Sequence, residues 1–452
     1  MLYTNNNGQP NTVSVFSVGP DGALSSIAGS PFPTGSASAS SGNDIEVSSN
    51  GNLLAVSNDR GPSVSVFSIN PDTGKLAPVP GSPFSTGTGI LGGLSIEFTT
   101  DNHFLIAANR STGKIAVFSV ASDGALTPVA GSPFSASNNS IGPVKVSLSG
   151  QFLFAALNFS PRIAVFSIDS NGALTPVPGS PFPVATESDI VSIDINCAGS
   201  LLFAADNGGQ AFVFSVGSGG ALTPVSGSPF RISNFNGTQD ILLNTSGNIL
   251  FTSNQSAATV SAFSVSSNGS LSSSPVSTVF VGDINNEDRR PIDLSINQAG
   301  TLLYAMNADS TIHVFNVAAS GLLAVVPGSP FVNTGGSGFG ATLAAFPPRA
   351  CATGPSFDMC VQDEGNGTVL KINSTTGEYQ FTNCNNITLS GTGTLRLQGC
   401  KLELNDSRSD RKLRVEVNSC AGKGTALLKV LTSGEMFTIN DKNTTDNTCA
   451  CN

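Results

Sequence analysis

The tripeptide Val-Phe-Ser returns seven times at a nearly constant interval, and that interval constrains the fold more than any other feature. Its phenylalanines are Phe16, Phe67, Phe118, Phe166, Phe214, Phe263 and Phe315, with Ala262 replacing Val and Asn316 replacing Ser in single copies. Successive copies are 51, 51, 48, 48, 49 and 52 residues apart. A period near fifty is too long for a leucine-rich or helical repeat. It fits one four-stranded propeller blade per repeat.

Each repeat carries four strand signals. In the second, "DIEVS" (44–48) alternates apolar and polar residues and reads as strand A. After an Asn50-Gly51 turn, "LLAVSN" (53–58) is a denser apolar run, as a strand covered on both faces requires. "SVSVFSI" (63–69) is strand C and "KLAPVP" (75–80) strand D. Glycine recurs in the C–D turn as Gly22, Gly74, Gly124, Gly172, Gly220, Gly269 and Gly321, where a tight hairpin needs positive φ.

The two ends complete each other. "MLYTN" at the start matches strand B of "LLYAMN" (302–307), and "GATLAAF" (340–346) matches strand A before Pro347-Pro348. The expected fold is all-β: a seven-bladed β-propeller over 1–346, closed by N-terminal strands pairing with the last strand of the repeat array.

The segment after each strand C is rich in proline, as in "NGALTPVPGSPF" (171–182). Strand D is the outer edge of a blade, where a missing N–H faces solvent and discourages edge-to-edge pairing. Pro78, Pro128, Pro176 and Pro224 are expected in one register. "GSPF" is read as the end of the strand, with Ser-Pro holding the chain extended. Phe32, Phe84, Phe134, Phe182, Phe230 and Phe331 are expected to pack between blades. Only the sixth repeat lacks the motif, reading "SSSPVSTVF" (272–280).

These residues carry a resemblance. "LLYAMN", "MLYTN", "VSVFSI" and "DGALTPV" resemble the lactonase-type seven-bladed propellers, the 6-phosphogluconolactonase-like and YVTN-repeat proteins, over about residues 1–346. The resemblance implies the fold, a lactone hydrolase activity, and His and Arg side chains near the entry to the innermost strands. The chain departs from that last pattern. Its only histidines are His103, read as an exposed A–B turn residue, and His313, read as a packed residue of strand C.

A ligand site is sought where the segments entering strand A converge on the central channel. Aligning repeats there gives one column of Asp44, Ser95, Pro143, Ser192, Asp240 and Asp293, read as channel rim. The next holds Glu46, Glu97, Lys145, Asp194, Leu242 and Ser295, read as channel wall or blade interface. Carboxylates outnumber bases, which suits a cation or a hydroxyl-rich carbohydrate better than a phosphate. Acids in such columns also commonly bond neighbouring backbone. "GDINNEDRRPID" (282–293) adds Arg289 and Arg290, read either as a carboxylate clamp or as a self-neutralising loop with Glu287 and Asp288. No nucleophile elbow, phosphate loop or zincin motif occurs, and no cofactor or metal is expected.

After Pro347-Pro348 the composition changes. Ten of the twenty Lys and Arg, and seven of the eight cysteines, lie beyond residue 350. A linker (347–359) and a small disulfide-bonded β-sandwich or β-roll (360–452) are expected, resembling a cysteine-bearing module of secreted bacterial proteins. Cys351, Cys360, Cys384, Cys400, Cys420, Cys449 and Cys451 are the disulfide candidates, with no connectivity readable. Cys197 is read as a lone small side chain. The cysteine density suggests an oxidising, extracellular or cell-surface location. Met1-Leu-Tyr-Thr-Asn5 already reads as strand with no signal peptide before it, so if the protein is secreted a mature or trimmed chain is expected.

Only 11% of residues are charged and the net charge is −10, which argues against nucleic acid as a partner. No apolar run approaches a membrane helix. The reading favours a secreted, non-catalytic propeller acting in binding or in self-association into an oligomer or filament. A lactone hydrolase acting over the channel is the alternative.

Overall fold

The computed structural model describes residues 1–6, 11–36, 44–58, 62–89, 93–136, 140–158, 161–286, 289–333, 335 and 342–348, and nine strands between 359 and 440. The chain divides into two units, Met1–Cys351 and Ala352–Asn452.

The first unit is the expected propeller. Blade II runs A (Ile45–Val47), B (Leu53–Asn58), C (Ser63–Ile69) and D (Leu76–Pro78), each antiparallel to the next. Blades III to VII repeat this order, with A strands Leu94–Phe98, Ile141–Val146, Ile190–Ile195, Thr238–Leu243 and Pro291–Ile296. Blade I is the split one. Leu2–Asn6, Thr12–Val18 and Leu24–Ser26 supply B, C and D, and Leu343–Ala345 supplies A. Leu2 faces Ala345, Tyr3 faces Ala344 and Thr4 faces Leu343. The Met1 ammonium donates to the Phe346 carbonyl and the Phe346 amide to the Met1 carbonyl, both at 2.9 Å. The seven A strands neighbour one another in an unbroken ring around the channel.

Apolar clusters lie between blades rather than within them. One joins Val64 and Val66 of blade II to Leu94, Ile96 and Phe118 of blade III, with Phe84 packed against it. Phe32, Phe134, Phe182, Phe230 and Phe331 pack in the same way at their own seams. The C–D glycines have φ between +69° and +88°. Glycine is required at Gly172 for a second reason: a Cβ there would lie 2.7 Å from the Phe104 ring of the preceding blade.

The proline segment differs from the expectation in one respect. The expected prolines do share a register, facing Phe67, Phe118, Phe166 and Phe214 of strand C. The six Ser-Pro bonds, however, are cis rather than extended, and strand D resumes beyond them. Phe84, Phe134 and Phe182 then face Val64, Ile115 and Ile163 of strand C. The interruption leaves one strand C amide without a ladder partner, and the serine supplies it. Val15, Val66, Val117, Val165, Val213 and Val314 each donate to the hydroxyl of Ser30, Ser82, Ser132, Ser180, Ser228 or Ser329 at 2.9–3.0 Å. The serine is therefore the ladder's substitute acceptor. Blade VI has no such interruption, and Ser277–Phe280 pairs continuously with strand C.

Cys197 lies in the A–B turn of blade V and is disulfide-bonded, not lone as expected. Its partner is not among the described side chains. The second unit contains two antiparallel meanders, of four strands (Met359–Gln362 to Thr388–Thr392) and five strands (Thr394–Gln398 to Met436–Asn440). Side chains of Cys351, Cys360, Cys384, Cys400, Cys420, Cys449 and Cys451 lie outside the described residues.

Candidate functional site

Strand A bonds strand B along one edge; its other edge faces the channel without a ladder partner. An unpaired, buried amide is costly, and the two polar columns supply acceptors. Asp44 accepts the amide of Ile96 in the next blade (2.9 Å), and Ser95 that of Val144 (3.2 Å). Ser192 accepts from Ile241 (3.2 Å), Asp240 from Leu294 (3.0 Å) and Asp293 from Leu343 (2.6 Å). Pro143 offers no side-chain acceptor at its position. The second column does the same through Asp194 with Leu243 (2.8 Å) and Ser295 with Ala345 (3.0 Å). Between them the columns staple five of the seven seams in this way, the first column at each of the five and the second at two of the same.

Local backbone sets their direction. Strand A of blades V, VI and VII carries a register shift immediately before Ser192, Asp240 and Asp293. A β-bulge re-aims the side chain that follows it.

Stapling does not exhaust these carboxylates. Asp44, Asp240 and Asp293 are half-buried at the entry end of the inner ring. Burial pushes Asp44 up to about 7, with the Glu97 carboxylate adding to the effect. Burial raises Asp240 to about 6, reinforced by Asp194. Asp293 is held well above the ordinary carboxylate range by burial and by the charges of Asp240 and Asp44. Asp44 belongs to blade II and Asp293 to blade VII, so their mutual influence crosses the split blade. Asp293 therefore feels the charges of both of the other two.

Glu97 and Lys145, in the second column of blades III and IV, form an ion pair of 2.8 Å. Glu46 is half-buried on the strand that Asp44 precedes. At the level of the first column lie polar atoms with no hydrogen-bond partner: both amide atoms of Asn5, Thr342 Oγ1 and Ser253 Oγ. Thr342 occupies the first-column position of the split blade, and its carbonyl accepts the Asn5 amide (3.1 Å). Ser253 faces Asp240 across the A–B ladder. This capacity is available to water or a ligand. The repeat alignment missed Thr342 because the split blade has no continuous A–B hairpin to align.

The remaining candidates do not join this ring. Arg290 donates to the Ile284 carbonyl of its own loop (2.6 Å). Arg289 lies 3.8 Å from Asp309 and is mostly exposed. Glu287 and Asp288 lie outside the described residues. His103 is exposed and pairs with Asp101 at 2.9 Å. His313 stacks on Phe315 at 6.4 Å and meets Asn307 Nδ2 at 3.2 Å through Nε2. Burial lowers His313 to about 4, so it is neutral at physiological pH. Among the described residues no group of three His, Cys, Asp or Glu side chains is placed to hold a metal ion.

Solved structures of the same architecture are numerous. A candidate 6-phosphogluconolactonase from Bacteroides fragilis is 22% identical, with a TM-score of 0.58, covering 76% of this chain and 96% of that one. One from Bacteroides uniformis is 19% identical, with a TM-score of 0.62, covering 76% and 99%. The periplasmic gluconolactonase of Pseudomonas aeruginosa is 20% identical, with a TM-score of 0.58, covering 73% and 98%. At these identities the likeness is one of fold. No curated protein matches the chain. The profile of the lactonase seven-bladed β-propeller family matches residues 1–90, 85–191 and 194–335. That is most of the chain and nearly all of the propeller, and the chain belongs to this family.

Proposed function

We propose that the propeller hydrolyses a sugar lactone at the entry of its central channel. The observation that carries this reading is the grouping there of Asp44, Asp240 and Asp293, with Asp240 raised to about 6, Asp44 to about 7 and Asp293 held well above the ordinary carboxylate range. At neutral pH such a set holds both a carboxylate and a carboxylic acid. The carboxylate takes a proton from water as its oxygen bonds the lactone carbonyl carbon. The ring C–O bond then breaks, and the acid returns a proton to the leaving alkoxide, giving a hydroxy acid. Family membership and structural neighbours described as gluconolactonases support the substrate class.

The acid-rich ring disfavours an anionic substrate, so an unphosphorylated lactone fits better than a phosphorylated one. The test is turnover of glucono-δ-lactone, its 6-phosphate and simple γ-lactones, measured above the uncatalysed rate. Asp44→Asn and Asp240→Asn should each lower kcat by roughly 10²–10⁴-fold. Absence of turnover across the panel removes the reading.

A second reading, self-association of a non-catalytic propeller, is favoured by blade VI. Its outer strand Ser277–Phe280 carries neither proline nor charge, and Phe280 is 74% exposed. One such edge per propeller pairs two copies and closes; a filament needs a further contact. On either reading we place the protein outside the cytosol. The disulfide at Cys197 and the cysteine-rich second unit, expected as a disulfide-bonded β-sandwich or β-roll, support that location.

A further inference from the structure

The last residue of strand B is asparagine in five blades: Asn6, Asn58, Asn109, Asn254 and Asn307. Blade V has Asp206 there, only 1% exposed. In three of those blades the asparagine amide donates to hydroxyls of strand C, as Asn58 does to Ser63 (3.1 Å) and Ser65 (2.9 Å), while Asn109 donates to Thr88 and Asn307 to the Val281 carbonyl. Strand C of blade V offers Gln210 and Phe212 at those positions, so no such hydroxyl is present. Asp206 turns instead to the segment entering its own blade. One oxygen accepts from Thr186 Oγ1 (2.7 Å) and the other from the Gln210 amide (2.8 Å).

That carboxylate lies in an open cleft of about 620 Å³ lined also by Thr186, Glu187, Ser188, Gln210 and Arg231. Two neutral donors use about half of a carboxylate's acceptor positions. Gly208 keeps the space above it clear: a Cβ there would lie 3.2 Å from both Asp206 Oδ2 and Ser188 Oγ. The exposed Arg231 guanidinium is anchored to the Ser233 carbonyl (3.1 Å). The loop carrying Phe235 bonds the same B–C turn, through Ile232 to Gly209 and Gly237 to Asn207. Phe235, on that loop, is 53% exposed.

We propose that this cleft binds a neutral glycan. The Thr186 hydroxyl, held by its own donation to the buried Asp206, accepts from a sugar hydroxyl, Arg231 and Gln210 hydrogen-bond to further oxygens, and Phe235 offers a ring on which a pyranose C–H face stacks. Two carboxylates against one guanidinium leave the cleft net negative, which selects against sulfated or uronic chains. The proposal does not rest on the chemistry of the channel acids.

The test is calorimetric titration of the full chain, in EDTA, with maltohexaose, laminarihexaose and chitohexaose. The expected result is saturable binding of at least one of them. Asp206→Asn, which restores the side chain of five other blades, and Arg231→Ala should each weaken it about tenfold or more. Asp240→Asn in the channel should leave it unchanged. The proposal is overturned if none of the three binds, if Asp206→Asn binds as the wild type does, or if only Asp240→Asn abolishes binding.

Discussion

Single side chains here do work that the backbone cannot. Ser180 accepts the amide of the fully buried Val165, which the broken strand D has left without a partner. Ser180→Ala should cost about 1–3 kcal/mol, read as a fall in Tm. Ser167, whose exposed hydroxyl donates to the Thr175 carbonyl, should tolerate alanine with little change. Asp240 makes a second, pH-dependent case. Its folded affinity for the proton is raised from 3.8 to about 6, so the native state binds more protons than the unfolded chain in that window. Its contribution is fully present below about pH 4 and is lost as pH rises through 6. The Tm of Asp240→Asn should therefore approach that of the wild type between pH 4 and pH 7. Equal differences at both pH values would show that Asp240 does not titrate as described. The sequence exposed the acidic columns because they recur at one position per repeat. It could not show that their oxygens reach the next blade, since that depends on how closely neighbouring A strands approach around the ring.

At the scale of strands, blade VI is the exception that the repeat made visible. Alignment showed that "GSPF" is missing there; the structure adds what its absence does. Six outer strands are interrupted, while Ser277–Phe280 keeps four consecutive residues paired to strand C. Placing lysine at the exposed Phe280 should suppress any concentration-dependent association without unfolding the blade. Sedimentation velocity of wild type and Phe280→Lys checks this, and identical profiles with a dimer present would place the contact elsewhere. The substitute acceptor role of the motif's serine was not legible, because the sequence carries no mark of a strand that breaks and resumes. The phenylalanine's role was, because an apolar residue at a fixed position in nearly every blade has a seam to fill.

At the scale of the whole propeller, closure and chemistry meet at the split blade. Leu2–Thr4 pairs with Leu343–Ala345 across almost the full length of the unit, so the ring has no free end among the described strands. Deleting residues 1–6 removes strand B of that blade and strips Leu2 and Tyr3 from two seams. It should abolish cooperative unfolding of the propeller rather than fray one blade; a retained single transition at the wild-type Tm would contradict this. Closure was readable from the matching of "MLYTN" and "GATLAAF" to missing strands of one repeat. The catalytic reading was not, because it depends on acids from blades II, VI and VII meeting across the channel. The pH–rate profile of glucono-δ-lactone hydrolysis tests that meeting most directly. kcat/KM should rise with an apparent pKa between about 6 and 7, the range in which Asp240 and Asp44 titrate. That limb should be lost in Asp44→Asn and Asp240→Asn proteins that retain the fold. A wild-type rate no greater than the uncatalysed one, or a profile unchanged in both variants, would contradict it.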